Sequence, residues 1–269
     1  MQAQIAITEA ATGRPAAYLA GTQVTNARTD CVGGCCLARL PPPVDPGVIG
    51  AGEQARWQVR AAAATDLSGV RLFSPGDSRR RCASDFRARG IDARAVENPR
   101  RAVERADAVV TATTATKPVF PGDAFRPGAL VVAVGACTAE TREVDARTVQ
   151  RARRRPFADV PDEAAGAGDL AAVGVDGSRL RPVADLFDGE GWPPGRDSDQ
   201  TTDDGSADTG DVTLVESRVR GDGRGGGDTP ADPGADDGAG VGRRDLSAAG
   251  GRRATKYMFT AHGSVFRRP

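Results

Sequence analysis

Val48-Ile49-Gly50-Ala51-Gly52-Glu53-Gln54-Ala55 is the stretch on which the fold turns. Residues 47–50 (GVIG) read as a short buried strand, and a helix is predicted from about 53 to 64. The G-x-G-x-x-A between them meets three physical needs. The first glycine allows a tight turn, the second lets backbone approach a pyrophosphate, and Ala55 lets the helix pack close to the sheet. The helix start adds N–H groups and partial positive charge for the phosphates. A plain strand-to-helix turn is the bland alternative, but the strand–turn–helix–strand setting favours dinucleotide binding.

Outward from this loop, apolar runs alternate with helix-like segments. Strands are predicted at 70–73, 93–96, 108–112 and 130–134, and helices at 78–90, with a glycine at its end, and at 99–105, with proline in its first turn. The runs AVVTA and LVVAV show no alternation, as expected of strands covered on both faces. Strand and helix in turn mean right-handed crossovers and a parallel sheet. This is an α/β fold, a doubly wound, Rossmann-like sheet over about 44–155. Upstream, Thr25 is expected to cap a helix from 27 to 40, ended by Pro41–Pro43.

The 191–255 stretch is a different kind of polymer. It holds 15 of the 34 glycines and seven large apolar residues. Such a segment cannot offset ordering entropy of roughly 1–2 kcal/mol per residue. Disorder is expected at 196–210 and 218–255, with 211–217 (DVTLVES) able to form a strand between them.

With 36 basic and 36 acidic residues, the net charge of zero argues against partners bound by bulk electrostatics, nucleic acid and membrane surfaces among them. No run approaches the ~18 apolar residues of a membrane span, and MQAQIAITEA has no secretory pattern. Five cysteines, three of them crowded at Cys31, Cys35 and Cys36, do not form a disulfide framework, so a reduced, cytoplasmic setting is expected. Cys31 and Cys35 share a helical face and are expected to pack there, since the single histidine, His262, leaves no metal site. Arg151 and Arg153–Arg155 read as a solvated helix end.

Cofactor choice is read about 20 residues after the loop, where an NAD site usually carries a carboxylate. Here the chain runs Phe73-Ser74-Pro75-Gly76-Asp77-Ser78-Arg79-Arg80-Arg81, with no carboxylate at the strand end. Ser74 and the arginines, Arg79 first, could receive a 2′-phosphate. Asp77 keeps NAD open, and the pattern favours NADP.

Five segments together resemble the ornithine cyclodeaminase/mu-crystallin family, which includes archaeal-type alanine dehydrogenases and ketimine reductases. They are TGRPAAYLAGTQVTNARTD (12–30), VIGAGEQARWQ (48–58), ADAVVTATTATKPVF (106–120), VVAVGACTAETREVD (131–145) and FADVPDEAAGAGDL (157–170). The resemblance implies an NAD(P)-dependent oxidoreductase or deaminase acting on a small amino acid or cyclic imine, and a homodimer. It assigns Arg28 to the substrate carboxylate and Thr29 to the cofactor. Gly50, Ala51, Gly52, Glu53 and Gln54 fall to the pyrophosphate, Thr111, Ala112 and Thr113 to the nicotinamide half, and Val132, Val134 and Gly135, lining the end of the next strand, to the cofactor. Ser217 matches a late serine near the substrate. Asp159, Asp162 and Glu163 receive no chemistry, because the resemblance makes them part of a returning loop.

Three departures shape the expectation. Cys137 stands where cyclodeaminases carry an acid/base aspartate, which disfavours ornithine cyclisation. A thiol moves a proton only if its pKa is adjusted. Eleven residues precede Thr12 where the family has several dozen that carry a catalytic lysine, and neither Lys117 nor Lys256 is at that position. After Ser217 come Arg218-Val219-Arg220-Gly221 in place of Val-Gly, as a shifted reading frame would produce. The expected organisation is an incomplete substrate domain and linking helix (1–43), the dinucleotide domain (44–155), a return segment (156–217) and a disordered tail (218–269). Residues 1–24 and 156–269 are expected to pack loosely. The alternative function is a catalytically impaired dinucleotide-binding remnant.

Overall fold

The structure, a computed structural model, describes residues 3–136, 138–152, 156–187 and 212–217, together with the backbone of 257–262. Met1–Thr22 with Asp222–Pro269 form one compact unit, and Gln23–Gly221 a second. The chain opens with β1 (Gln4–Glu9), β2 (Pro15–Ala20), α1 (Gly21–Leu37), β3 (Pro46–Ile49) and α2 (Glu53–Ala62). It continues through β4 (Val70–Phe73), α3 (Ser78–Arg87), β5 (Ala93–Ala95), α4 (Pro99–Val103), β6 (Ala108–Thr111) and β7 (Leu130–Ala133). Next come α5 (Ala146–Arg151), β8 (Phe157–Ala158), α6 (Pro161–Ala164), α7 (Gly168–Ala172) and β9 (Arg181–Pro182). The last two strands are β10 (Thr213–Glu216) and β11 (Tyr257–His262).

The first unit carries an antiparallel sheet in the order β11-β1-β2. Ile5 sits opposite Leu19 on one side and Ala261 on the other, and Ile7 opposite Ala17 and Phe259. Residues 257–262, expected in a disordered tail, therefore pair with β1. A tail composition poor in apolar residues hid the short run YMFTAH.

The second unit is built on an eight-stranded sheet, β5-β4-β3-β6-β7-β10-β8-β9, with every neighbouring pair parallel. Alternation along each strand sends side chains to two separate cores. Val48, Leu72, Val110, Val132 and Val215 pack with Cys36 and Leu37 of α1, Val59 of α2 and Phe86 of α3. Ile49, Val109, Val131 and Leu214 pack with Val103 of α4, Phe120, Phe125, Val149 of α5 and Leu170 of α7. Helices on both faces are what unalternated apolar strands require, and the doubly wound class is confirmed.

Register matters most for the site. Phe73, Ile49, Thr111, Ala133, Glu216, Ala158 and Pro182 pair across the sheet in one line. Each following loop therefore leaves the same edge. The order turns back at β3, flanked by β4 and β6, which is the switch point where open α/β sheets bind ligands.

Two expectations need correcting. Residues 156–187 and 212–217 do not pack loosely. They add three strands to the sheet, and Phe157, Ala158, Leu170, Leu186, Leu214 and Val215 are buried. β10 forms within 211–217, as the sequence allows, whereas β8 and β9, two residues each, are too short to show a period, so 156–187 reads as a return segment. Helix α1 spans 21–37 and not 27–40. Thr22 Oγ1 accepts from the Ala3 amide at 2.9 Å. After Leu37 the chain tightens into i→i−3 bonds, Arg39 N to Cys36 O and Leu40 N to Leu37 O. Residues 196–210 and 218–255 lie outside the described residues.

If β10 is an interior strand, Leu214→Ala costs about 2–5 kcal/mol in urea unfolding, the range for cavities in well-packed cores. A loss below about 0.5 kcal/mol, the range of surface substitutions, would place β10 outside the core.

Candidate functional site

The phosphate loop is fastened at both flanks. Gly50 donates to Phe73 O at 2.8 Å, and the Ala112 amide donates to Ile49 O at 2.9 Å. Gly50 sits at φ +124°, and a Cβ there would overlap the Ala112 carbonyl, so the close approach of β3 and the post-β6 turn needs glycine. Gly52 differs. It is extended, it opens α2 without any side-chain cap, and a Cβ added there would meet nothing within 4 Å. Ala51 is partly buried against the core. Glu53 is turned along the helix, accepting from Trp57 Nε1 at 3.1 Å.

Helix α1 closes the cradle from the other side. Gln54 Nε2 donates to Asn26 Oδ1 at 2.8 Å, and Gln58 Nε2 to the Thr29 carbonyl at 3.0 Å. Asn26 and Thr29 are buried, yet Asn26 Nδ2, Thr29 Oγ1 and Gln54 Oε1 have no hydrogen-bond partner among the described residues. Buried polar atoms are ordinarily satisfied. Two donors held beside an uncapped helix start fit the oxygens of a bound dinucleotide. Next to Thr29, burial lifts the Asp30 carboxyl to about 6, with Arg60 opposing.

Glu143 organises the turns after β6 and β7. Its carboxylate accepts from Thr111 Oγ1 at 2.8 Å, the Thr113 amide at 2.6 Å and the Gly135 amide at 2.6 Å. Burial lifts its pKa above the ordinary carboxylate range, and the Gly135 and Thr113 amides with the Thr111 and Thr113 side chains oppose that. Asp169 Oδ1 in turn accepts from the Glu143 and Val144 amides at 2.8 and 3.0 Å. Burial raises the Asp169 pKa too, against those amides and Arg142. Val132 and Val134 are buried, with the Val134 amide donating to Thr111 O at 2.9 Å. Glu143 lies inside a quoted motif, but nothing local marks it as the shared acceptor.

A third cluster joins α1 to the far strands. Arg28 Nη1 lies 3.7 Å from Asp159 Oδ2, and Ser217 Oγ donates to that same oxygen at 3.1 Å. The Ser217 amide donates to Ala133 O at 2.8 Å, which seats it past the end of β10. Arg28 and Ser217, both read from the sequence, are thus brought together by Asp159, which was given no chemistry. Cys137 lies outside the described residues. Cys31 and Cys35 are exposed and not packed, while Cys36 is buried. Arg151 is no solvated end either. It is buried, donates to Gly122 O and Phe125 O at 2.7 and 3.1 Å, and stacks on Phe125. Arg153–Arg155 lie outside the described residues.

Beyond β4, Ser74 accepts from Ser78 Oγ at 3.1 Å. Arg79 folds back onto that turn, donating to the Ser74 carbonyl at 3.0 Å and the Gly76 carbonyl at 2.5 Å. Among the described residues, no helix is long and apolar enough to cross a membrane, and no group of His, Cys, Asp and Glu could hold a metal.

The sheet order, the loop at the switch point and the clasped turns define a doubly wound, Rossmann-type α/β domain. Residues 1–203 match the ornithine cyclodeaminase/mu-crystallin family, and the chain belongs to it. A Delta(1)-pyrroline-2-carboxylate/Delta(1)-piperideine-2-carboxylate reductase of Azospirillum brasilense is 37% identical over 194 residues, which is 69% of this chain and 60% of that protein. Delta(1)-pyrroline-2-carboxylate reductase 2 of Burkholderia ambifaria is 36% identical over 199 residues, again 69% of this chain and 60% of that protein. The Thermococcus litoralis Delta(1)-pyrroline-2-carboxylate reductase, solved with NADH and L-proline, superposes with a TM-score of 0.65 at 25% identity. That match covers 81% of this chain and 66% of the other. The chain spans about 60% of the length of these curated relatives.

The two loop glycines should separate binding from folding. Gly52→Asp places a carboxylate where phosphate approaches, so calorimetry should find NADPH binding lost with the melting temperature within about 3 °C of the parent. Gly50→Ala should instead lower stability, because its Cβ meets backbone. Unchanged NADPH affinity in Gly52→Asp would remove the site assignment.

Proposed function

We propose that the chain provides the dinucleotide-binding part of an NAD(P)-dependent reductase for a small cyclic imine carboxylate, with NADPH preferred over NADH. The observation that carries the reading is the buried pair Asn26 Nδ2 and Thr29 Oγ1, without a hydrogen-bond partner among the described residues, beside the uncapped start of α2. The relatives named as pyrroline- and piperideine-2-carboxylate reductases support the substrate class. The NADH in the Thermococcus protein supports the cofactor class. NADPH is favoured by the residues that follow β4, where Ser74 comes directly after Phe73 and Arg79 folds back over the turn.

Within this reading, Gly50–Gln54 cradles the pyrophosphate, and Thr111–Thr113 with Val134 and Gly135, fastened by Glu143, line the nicotinamide half. Bound there, a reduced nicotinamide supplies hydride to the imine carbon. Arg28 holds the substrate carboxylate, for which a guanidinium fork is suited. Asp159, itself held by Ser217, sets where that guanidinium points. Cys137 in place of an aspartate supports imine reduction over ornithine cyclisation. A second reading is dinucleotide binding without turnover.

Purified protein is tested with NADPH and NADH against Delta(1)-pyrroline-2-carboxylate and Delta(1)-piperideine-2-carboxylate. The reductase reading expects NADPH oxidation that depends on the imine. Arg28→Ala is expected to raise the imine KM about tenfold or more, the size of a lost charged hydrogen bond, without moving the NADPH KM. Saturable NADPH binding with no turnover on either imine would leave the second reading standing.

A further inference from the structure

The turn beyond β4 carries a charge arrangement that the loop motif does not require. Arg79 is 11% exposed, with its guanidinium 5.8 Å from the centroid of Phe73, the last residue of β4. Its Nη2 lies 2.8 Å from Glu97 Oε2. Arg80 Nη2 lies 3.4 Å from the other oxygen of the same carboxylate, Glu97 Oε1, and Arg80 Nη1 lies 3.3 Å from Asp77 Oδ1. Glu97 follows β5, the strand beside β4, so the neighbouring sheet edge brings it to the turn. It is 70% exposed, and hydrogen bonding and charge from Arg79, then Arg80, hold it below the ordinary carboxylate range. It is a full carboxylate at neutral pH.

In doubly wound dinucleotide domains the end of the second strand of the unit meets the adenosine ribose. Here that strand is β4. Two guanidiniums, Arg79 and Arg80, stand at this point, and two carboxylates, Asp77 and Glu97, are ion-paired with them. The formal charge of the four groups cancels, 2 − 2 = 0. An NADPH 2′-phosphate would enter with its own negative charge, whereas NADH brings a neutral hydroxyl.

We propose that Glu97 is the specificity-determining residue of this site: by bridging Arg79 and Arg80 it neutralises the guanidinium pair that a 2′-phosphate needs, and so limits discrimination in favour of NADPH. The proposal rests on the dinucleotide reading of the Gly50–Gln54 loop. It also accounts for the mixed signal of the sequence, in which arginines argued for NADP and Asp77 kept NAD open. Glu97 itself lies 20 residues beyond Asp77 and gives no local sign of facing the turn.

The test is calorimetric titration of the full chain with NADPH and NADH at low salt, using the parent, Glu97→Gln and Arg80→Gln. Glu97→Gln is expected to tighten NADPH about three- to fivefold and to leave NADH unchanged, the scale of an exposed charge pair. Arg80→Gln is expected to act in the opposite direction, weakening NADPH alone. Both effects should shrink at about 0.5 M salt, where exposed charges are screened. If Glu97 only braces the turn, its removal weakens both cofactors equally, and that result overturns the proposal. An unchanged NADPH-to-NADH ratio in Glu97→Gln also overturns it while leaving the dinucleotide site intact. Failure of the parent chain to bind either cofactor overturns the dinucleotide reading and this inference with it.

Discussion

Glu143 is the interaction on which the site edge depends. One buried carboxylate receives the Thr111 hydroxyl and the Thr113 and Gly135 amides, so the turns after β6 and β7 are held at a fixed separation. A buried carboxyl is tolerated when its oxygens are hydrogen-bonded, and a hydrogen bond to a charged group contributes about 1.5–3 kcal/mol. Asp169 extends the clasp by holding the backbone of Glu143 and Val144. The post-β6 turn then passes the constraint on, because the Ala112 carbonyl is what Gly50 packs against. The glycine loop after β3, the turns after β6 and β7 and the α7 start are therefore one hydrogen-bonded assembly.

The central strands were legible because their chemistry is local. VRLF, AVVT and LVVA are short, apolar and bounded by breakers, and all three form where expected. The strand–glycine–helix junction around Gly50 and Gly52 was legible for the same reason. What escaped was non-local. Asp159 gains meaning only because parallel pairing of β8 with β10 brings it to Ser217, and α1 brings Arg28 to both. Glu143 and Glu97 are likewise defined by partners distant in sequence, Thr111 and Thr113 for the one and Arg79 and Arg80 of α3 for the other. The β8 and β9 strands have two residues each. Their burial comes from neighbours in the sheet, not from any period of their own.

Arginine carried the least legible information. Arg151 and Arg79 belong to sequence runs that look solvated, yet both donate to backbone carbonyls and sit against phenylalanine rings. A guanidinium has five donors and a flat apolar face, so it can fasten a turn as readily as it binds a phosphate. Counting arginines near a ribose site therefore overstates the charge a cofactor meets. The paired carboxylates have to be counted as well.

The central claim is that the aligned sheet edge, with α1 beside it, forms a dinucleotide cradle. Two-dimensional amide NMR of the full chain, titrated with NADPH, tests it most directly. The account predicts saturable shifts at the amides of Gly52, Glu53, Gln54, Thr113 and Gly135. Those residues lie at the ends of three separate strands, β3, β6 and β7, and their shifts should follow one binding curve. Shifts confined to other residues, or no saturable change at Gly52–Gln54, would contradict it.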